Sequence, residues 1–212
     1  MILNAVDKKI LSLFEKNLIR SLLEEDGIVA FPSDTVYGLG VNGFSSHAVA
    51  RLYQLKKRQN TKPLILLTDD PQKVSSYLLD PEELRHPLVQ KYWPGALTIV
   101  FNVKDNIPLH YATQKEASLG IRVPCHSLLL DLLAFLPFPL VTTSANISSQ
   151  EPMETANAIE QKFNLPQQKD EIACIIDGGN LKQVASTVVQ LVGNEVLILR
   201  KGSIKFHDAS FS

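Results

Sequence analysis

The chain has 212 residues, 45% apolar and 20% charged, with twenty-one basic and twenty-two acidic side chains. That composition suits one ordinary globular domain with a substantial core. A formal net charge of −1 excludes a global field drawing the protein to nucleic acid or an anionic membrane, so any polyanion binding must be local.

In chain order, Leu11, Phe14, Leu18 and Leu22 recur at helical spacing and predict an amphipathic first helix, ended by Glu24-Glu25-Asp26 and Gly27. Ile28 to Phe31 reads as a strand stopped by Pro32, so Ser33-Asp34-Thr35 falls where a strand opens into a loop. Within FPSDTVYGLG, Thr35 or Tyr37 can hydrogen-bond a polar ligand, and Gly38 and Gly40 let the backbone approach it. The competing reading is a glycine-bearing turn closed by an Asx-type bond from Asp34.

Val49, Leu52, Tyr53 and Leu55 predict a helix over Ala48 to Lys57, which puts the cluster Lys56-Lys57-Arg58 at its C-terminal end with Lys62 beyond. Such a cluster is either a solvated helix end or a polyphosphate grip, the fork of Arg58 working beside the point charges of Lys56, Lys57 and Lys62. Further strands are expected at 64–67, 97–103, 119–123, 172–176, 187–192 and 196–199, with helices near 82–92, 126–135 and 154–163. Interleaved strands and helices indicate an α/β fold, and Gly193-Asn194 between two aliphatic runs signals a hairpin and hence a mixed sheet.

Trp93 reads as a packed anchor ahead of a strand. Arg122, a lone cation in the apolar strand LGIRVP, needs an anionic partner, either an ion pair or a ligand carboxylate. Arg200, at the end of VLILRKG, poses the same question. In VTTSANIS, Ser144 and Asn146 stand at a strand end, as binding groups or as a loop closing on its own backbone. Ser186-Thr187 opens a strand and is individually weak.

Cys125 and Cys174 belong to no ligand pattern and are expected to be small core residues in a reducing compartment. Histidines 47, 86, 110, 126 and 207 share no metal-ligand spacing. No GxxxxGK[ST], GxGxxG or GxSxG motif is present. The N-terminus lacks the features of a secretory signal and no apolar run reaches membrane-span length, so a cytoplasmic location without membrane attachment is expected.

Taken in order, FPSDTVYGLG, KKR followed by KPL, YWPGALTIVF, LGIRVP, TSAN, STVV and ILRKG closely resemble the YrdC-like threonylcarbamoyl-AMP synthase family, over about residues 27–204. The resemblance implies a single-domain twisted mixed β-sheet with flanking helices and a basic concave face. Its catalytic domain would cover 1–204, with a short tail over 205–212, as in the short-form members. It implies an L-threonylcarbamoyladenylate synthase, joining L-threonine, bicarbonate and ATP with release of pyrophosphate. ATP would be bound by Lys56, Arg58, Lys62, Ser144, Asn146 and Arg200, of which Lys56 and Arg58 are catalytic. Threonine would be bound by Thr35, Arg122, Thr142 and Ser186. Mg²⁺ would be held mainly through the ATP phosphates, with no metal site of the protein's own.

The product of such an enzyme feeds formation of threonylcarbamoyladenosine at position 37 of tRNA, which makes tRNA and the downstream transfer complex candidate partners. Two departures stand out: Gln59 replaces the family's usual proline, and Leu67 stands where some members carry a histidine that touches threonine. The competing readings are a tRNA or double-stranded RNA-binding module without catalysis, and carbamoyl-adenylate chemistry on another substrate.

Overall fold

Aliphatic runs too short for helices become the strands of one mixed sheet in the computed structural model, which describes residues 1–57, 63–109, 117–164, 172–193 and 195–206. Among the described residues the strands are β1 (Ile2–Asn4), β2 (Ile28–Phe31), β3 (Gly38–Asn42), β4 (Ile65–Leu67), β5 (Leu97–Asn102), β6 (Ser118–Arg122), β7 (Leu140–Ser144), β8 (Ile172–Asp177), β9 (Thr187–Val192) and β10 (Glu195–Arg200). Their order across the sheet is β1-β8-β2-β3-β7-β4-β6-β5-β9-β10. Parallel pairs, such as β4 with β6 and β5 with β9, are mixed with antiparallel ones, such as β4 with β7 and β5 with β6, which bears out the expected mixed α/β sheet. The β9–β10 hairpin is present, and Asn194 of its expected turn lies outside the described residues.

The helices are α1 (Leu13–Glu24), α2 (Ser46–Leu55), α3 (Pro87–Tyr92), α4 (Ser127–Phe135) and α5 (Ala156–Phe163). Ser12 and Glu15 close a capping box on α1. The buried face of α1 is carried by Ile19 and Leu23, whereas Phe14, expected on that face, is 76% exposed. The single helix expected over 82–92 is instead a 3-10 turn (Pro81–Arg85) followed by α3. Pro87 supplies no N–H to continue the first turn, and it starts the second.

Strand alternation sorts the side chains into two faces. On one face, Ile28, Ala30, Leu39, Val41 and Val141 pack beneath α2 and α5, and Leu66, Ile99, Ile121 and Val189 pack beneath α3. The register Leu66↔Val141 joins these two cores on the same side. On the other face, α1 and α4 cover Val29, Phe31, Leu140, Cys174 and Ile176 and reach the edge of β4 at Leu67, and they leave the β5, β6 and β9 end open. That uncovered half of one face is where the site lies.

Gly38 and Gly40 have a packing role, and Gly38 also borders the cavity described below. A Cβ at either would lie 2.6 or 2.7 Å from the Phe31 ring, which occupies the space both glycines leave. Trp93 is the expected anchor: its indole N–H donates to the Leu97 carbonyl at 2.7 Å, edge-on to Phe101. Cys174 is buried as expected, but Cys125 is exposed, because it lies past the end of β6 in the loop leading to α4.

Around the expected boundary at 204 the chain remains tied to the sheet and to α3. The Ser203 N–H donates to the Ala185 carbonyl, the Thr187 hydroxyl bonds both backbone groups of Ile204, and Phe206 packs edge-on against Tyr92 at 5.7 Å. The rest of the expected tail, 207–212, lies outside the described residues.

Candidate active site

The uncovered face carries a cavity of about 890 Å³. Its floor is built from alternate strand residues, among them Ile65 and Leu67, Thr98 and Val100, Ser118 and Gly120, Thr142 and Ser144, and Val188 and Gln190. Small side chains at positions 98, 118, 120 and 142 create the space, and the bulky partners one residue along face the core. Two guanidinium groups, Arg122 and Arg200, line the wall, with the hydroxyls of Ser33, Thr35, Thr142 and Ser186 among its polar groups.

Arg122 ends β6 and is 6% exposed. The loop after β2 reaches it although β6 lies four strands away. Nε donates to the Gly95 carbonyl at 2.9 Å, Nη1 to Thr35 Oγ1 at 2.8 Å, and Nη2 to Asp34 Oδ1 at 2.6 Å. Both sequence readings therefore meet at this residue: Arg122 has an ion-pair partner and also borders the cavity. Burial lowers its pKa, and the Asp34 carboxylate opposes that shift. A guanidinium carries five N–H donors; three are engaged here, leaving one N–H on each terminal nitrogen. Thr35 is itself held by Ser33, whose hydroxyl lies 3.1 Å from Thr35 Oγ1, accepts from the Thr35 N–H and donates to the Val36 carbonyl.

Lys56 caps the C-terminal end of α2 and is fully buried. The solvated-face reading therefore fails for Lys56, while Lys57, at positive φ, is exposed. Lys56 Nζ donates to the Ser144 carbonyl and, at 2.6 Å, to Asn146 Oδ1. Ser144 Oγ also donates to Asn146 Oδ1 at 2.8 Å, the Asn146 amide donates to the Gln150 carbonyl, and the Ser148 N–H donates to the Lys56 carbonyl. The ammonium thus binds α2 to the turn after β7, two segments that only the family resemblance had grouped. Ser144 borders the cavity beside that junction. Arg58, Gln59 and Lys62 lie outside the described residues.

At the opposite wall Arg200 and Ser186 are bonded to each other. Arg200 Nη2 donates to the Ser186 carbonyl at 2.8 Å and to Ser186 Oγ at 3.0 Å, and Nε donates to the same carbonyl at 3.2 Å. Ser186 Oγ also lies 2.9 Å from Thr98 Oγ1. Thr142 Oγ1 donates to the Ile65 carbonyl at 3.2 Å. Leu67, paired with Arg122 in register, puts an aliphatic side chain beside that guanidinium.

Tyr37, one of two ligand-binding alternatives in its segment, uses its hydroxyl structurally. It donates to the Gly179 carbonyl and accepts from the Gly178 N–H, and burial pushes its pKa up to about 12. Sequence reasoning missed Asp34 as the partner of Arg122 and Thr98 as the partner of Ser186. The signal for Asp34 was a lone carboxylate in one polar loop and a lone cation in one apolar strand. Nothing in the sequence paired Thr98 with Ser186. Among the described residues no group of three or more His, Cys, Asp or Glu side chains can hold a metal ion. Among the described residues no helix is long and apolar enough to cross a membrane.

The Sua5/yciO/yrdC family model, described as "Telomere recombination", matches residues 21–202. The threonylcarbamoyl-AMP synthase of Pyrococcus abyssi is 31% identical over 187 residues, covering 88% of this chain and 53% of that protein. The Bacillus subtilis protein of the same name is 32% identical over 185 residues, covering 87% and 52%. This chain spans about half the length of both relatives. The crystal structure of P. abyssi Sua5 complexed with L-threonine superposes with a TM-score of 0.83 at 29% identity, covering 95% of this chain and 57% of that one.

Proposed function

This chain belongs to the Sua5/yciO/yrdC family, and from that premise we propose that it is an L-threonylcarbamoyladenylate synthase. It joins L-threonine, bicarbonate and ATP into threonylcarbamoyl-AMP and releases pyrophosphate. The observation that carries this reading is Arg122: a buried guanidinium at the edge of a hydroxyl-lined cavity, with two N–H groups left to receive a carboxylate. The names of the relatives and the threonine-bound P. abyssi structure support the same substrate.

In this reading Arg122 and Thr35 hold the threonine carboxylate, with Thr142 and Ser186 lining the same pocket. The threonine amine combines with bicarbonate to give a carbamate and water. A carbamate oxygen then attacks the α-phosphorus of ATP, and the bond to pyrophosphate breaks as the new P–O bond forms. Lys56, Arg58, Lys62, Ser144, Asn146 and Arg200 form the nucleotide side. The displacement needs little acid–base chemistry, so positioning and charge stabilisation by Lys56 and Arg58 dominate. The buried ammonium of Lys56 acts from beneath the Ser144–Asn146 turn, fixing its geometry while adding positive charge. Mg²⁺ would be held through the ATP phosphates rather than by side chains and would supply neutralisation of their charge.

The reaction suits a cytoplasmic enzyme supplying threonylcarbamoyladenosine synthesis on tRNA, with a separate transfer complex using the product. The test is pyrophosphate release from ATP with threonine and bicarbonate omitted in turn. Dependence on both is expected; release that ignores either one refutes the assignment. RNA affinity that falls steeply with salt, without ATP- and threonine-dependent pyrophosphate release, would favour the RNA-binding alternative.

A further inference from the structure

Asp34 belongs to the loop that reaches Arg122, and its carboxylate is the one anion the structure gives that guanidinium among the described residues. The Asp34 side chain is 14% exposed, so the pair sits where water screens charges poorly. The three acceptors on Arg122 differ in kind: a carbonyl and a hydroxyl fix its orientation, whereas Asp34 also cancels its charge. An anchor of Arg122 alone would attract any small carboxylate. An anchor of Arg122 with Asp34 is close to neutral and gives a plain carboxylate little net attraction.

A zwitterion feels both charges: its carboxylate meets Arg122, which lines the cavity, and its ammonium is attracted through space by Asp34, which stands behind the guanidinium and outside the cavity lining. A carboxylate on the remaining Arg122 N–H groups places an α-ammonium on the order of 6 Å from the Asp34 carboxylate, by covalent and hydrogen-bond lengths. We propose that Asp34 is a specificity-determining residue that makes the Arg122 anchor select a free α-amino acid over a carboxylate without an amine. The inference rests on the reading of this cavity as a threonine site. It follows the general rule that selectivity is built as much by disfavouring the wrong ligand as by holding the right one.

The experiment is titration calorimetry with L-threonine and with (2S,3R)-2,3-dihydroxybutanoate, which replaces the amine by a hydroxyl, on the unaltered protein and on Asp34→Asn. The unaltered protein is expected to prefer threonine, and Asp34→Asn to lose at least about tenfold of that preference, as threonine weakens while the hydroxy acid holds or gains. Asp34→Glu keeps the charge and is expected to restore most of the preference. Thermal unfolding is recorded for each variant; if Asp34→Asn does not fold, Asp34→Ser, which leaves room for water at Arg122, carries the same comparison. Threonine binding by the unaltered protein with an unchanged ratio in the neutral variant overturns this inference alone, since Asp34 would then serve only to support Arg122. Absence of threonine binding by the unaltered protein overturns the reading of the cavity and this inference with it.

Discussion

Replacing Arg122 by methionine keeps most of its apolar stem and removes every donor of the guanidinium. Three acceptors then lose a partner: the Gly95 carbonyl, Thr35 Oγ1 and the Asp34 carboxylate. Breaking a buried charge pair by removing one member costs about 3–5 kcal/mol, because the other charge stays behind without compensation. The two neutral bonds add about 1 kcal/mol each, partly recovered because Thr35 keeps Ser33. Relief of the desolvation of Arg122 itself works the other way, so a net loss of about 3–5 kcal/mol is expected.

Urea unfolding followed by far-ultraviolet circular dichroism should show this as a midpoint lowered by roughly 1–2 M. Asp34→Asn combined with Arg122→Met should lose less than the two single changes added together, with a coupling of about 1–3 kcal/mol. A midpoint within about 0.4 M of the unaltered protein, or additive single and double variants, would refute the account of a buried pair.

Gly38→Ala puts a methyl 2.6 Å from the Phe31 ring and should cost about 1–3 kcal/mol of overpacking in thermal unfolding, with Phe31→Leu recovering part of it. The exposed Cys125 should react with Ellman's reagent in the native protein while the buried Cys174, whose thiol burial pushes up to about 11, reacts only in denaturant; two fast native equivalents would contradict this. The Lys8 ammonium, then Ser12, lowers the Glu15 carboxyl to about 2, so its contribution is present above the unfolded carboxylate range and lost as pH falls toward 2. For a site this open to solvent the contribution is about 1 kcal/mol; Glu15→Gln should flatten the acid limb of stability by that amount, and an unchanged limb would refute it.

Where apolar runs had ordinary strand composition, as in Leu97–Asn102 or Ile172–Asp177, the sequence was sufficient. It failed at β3, where Gly38 and Gly40 hide a strand whose glycines exist for a ring on the neighbouring strand. That requirement is a tertiary one, and no local pattern carries it. The short β1 escaped for a different reason: three residues hold too little period to read.

At the site, the residue types and their segments were legible, but their partners were not. Lys56 looked like part of a solvated charge run because its neighbours in sequence are charged. Its neighbours in space, Ser144 and Asn146, come from a strand end almost ninety residues on. Arg122 announced itself as a cation needing an anion, and only the fold could supply Asp34, since the loop that carries it follows β2, four strands from β6.

The floor of the cavity and the wall of the main core are the same strands. Thr98 and Arg122 face the ligand side, and Ile99 and Ile121, one step along the chain, face the helices. With adjacent residues only about 3.3 Å apart along a strand, a change of side-chain volume in the core has almost no material in which to dissipate before it reaches the site. Substrate preference in this fold is therefore tied to core packing. Variants that retune the cavity should arise behind the sheet as well as in front of it, and a change on one side should find its compensation on the other.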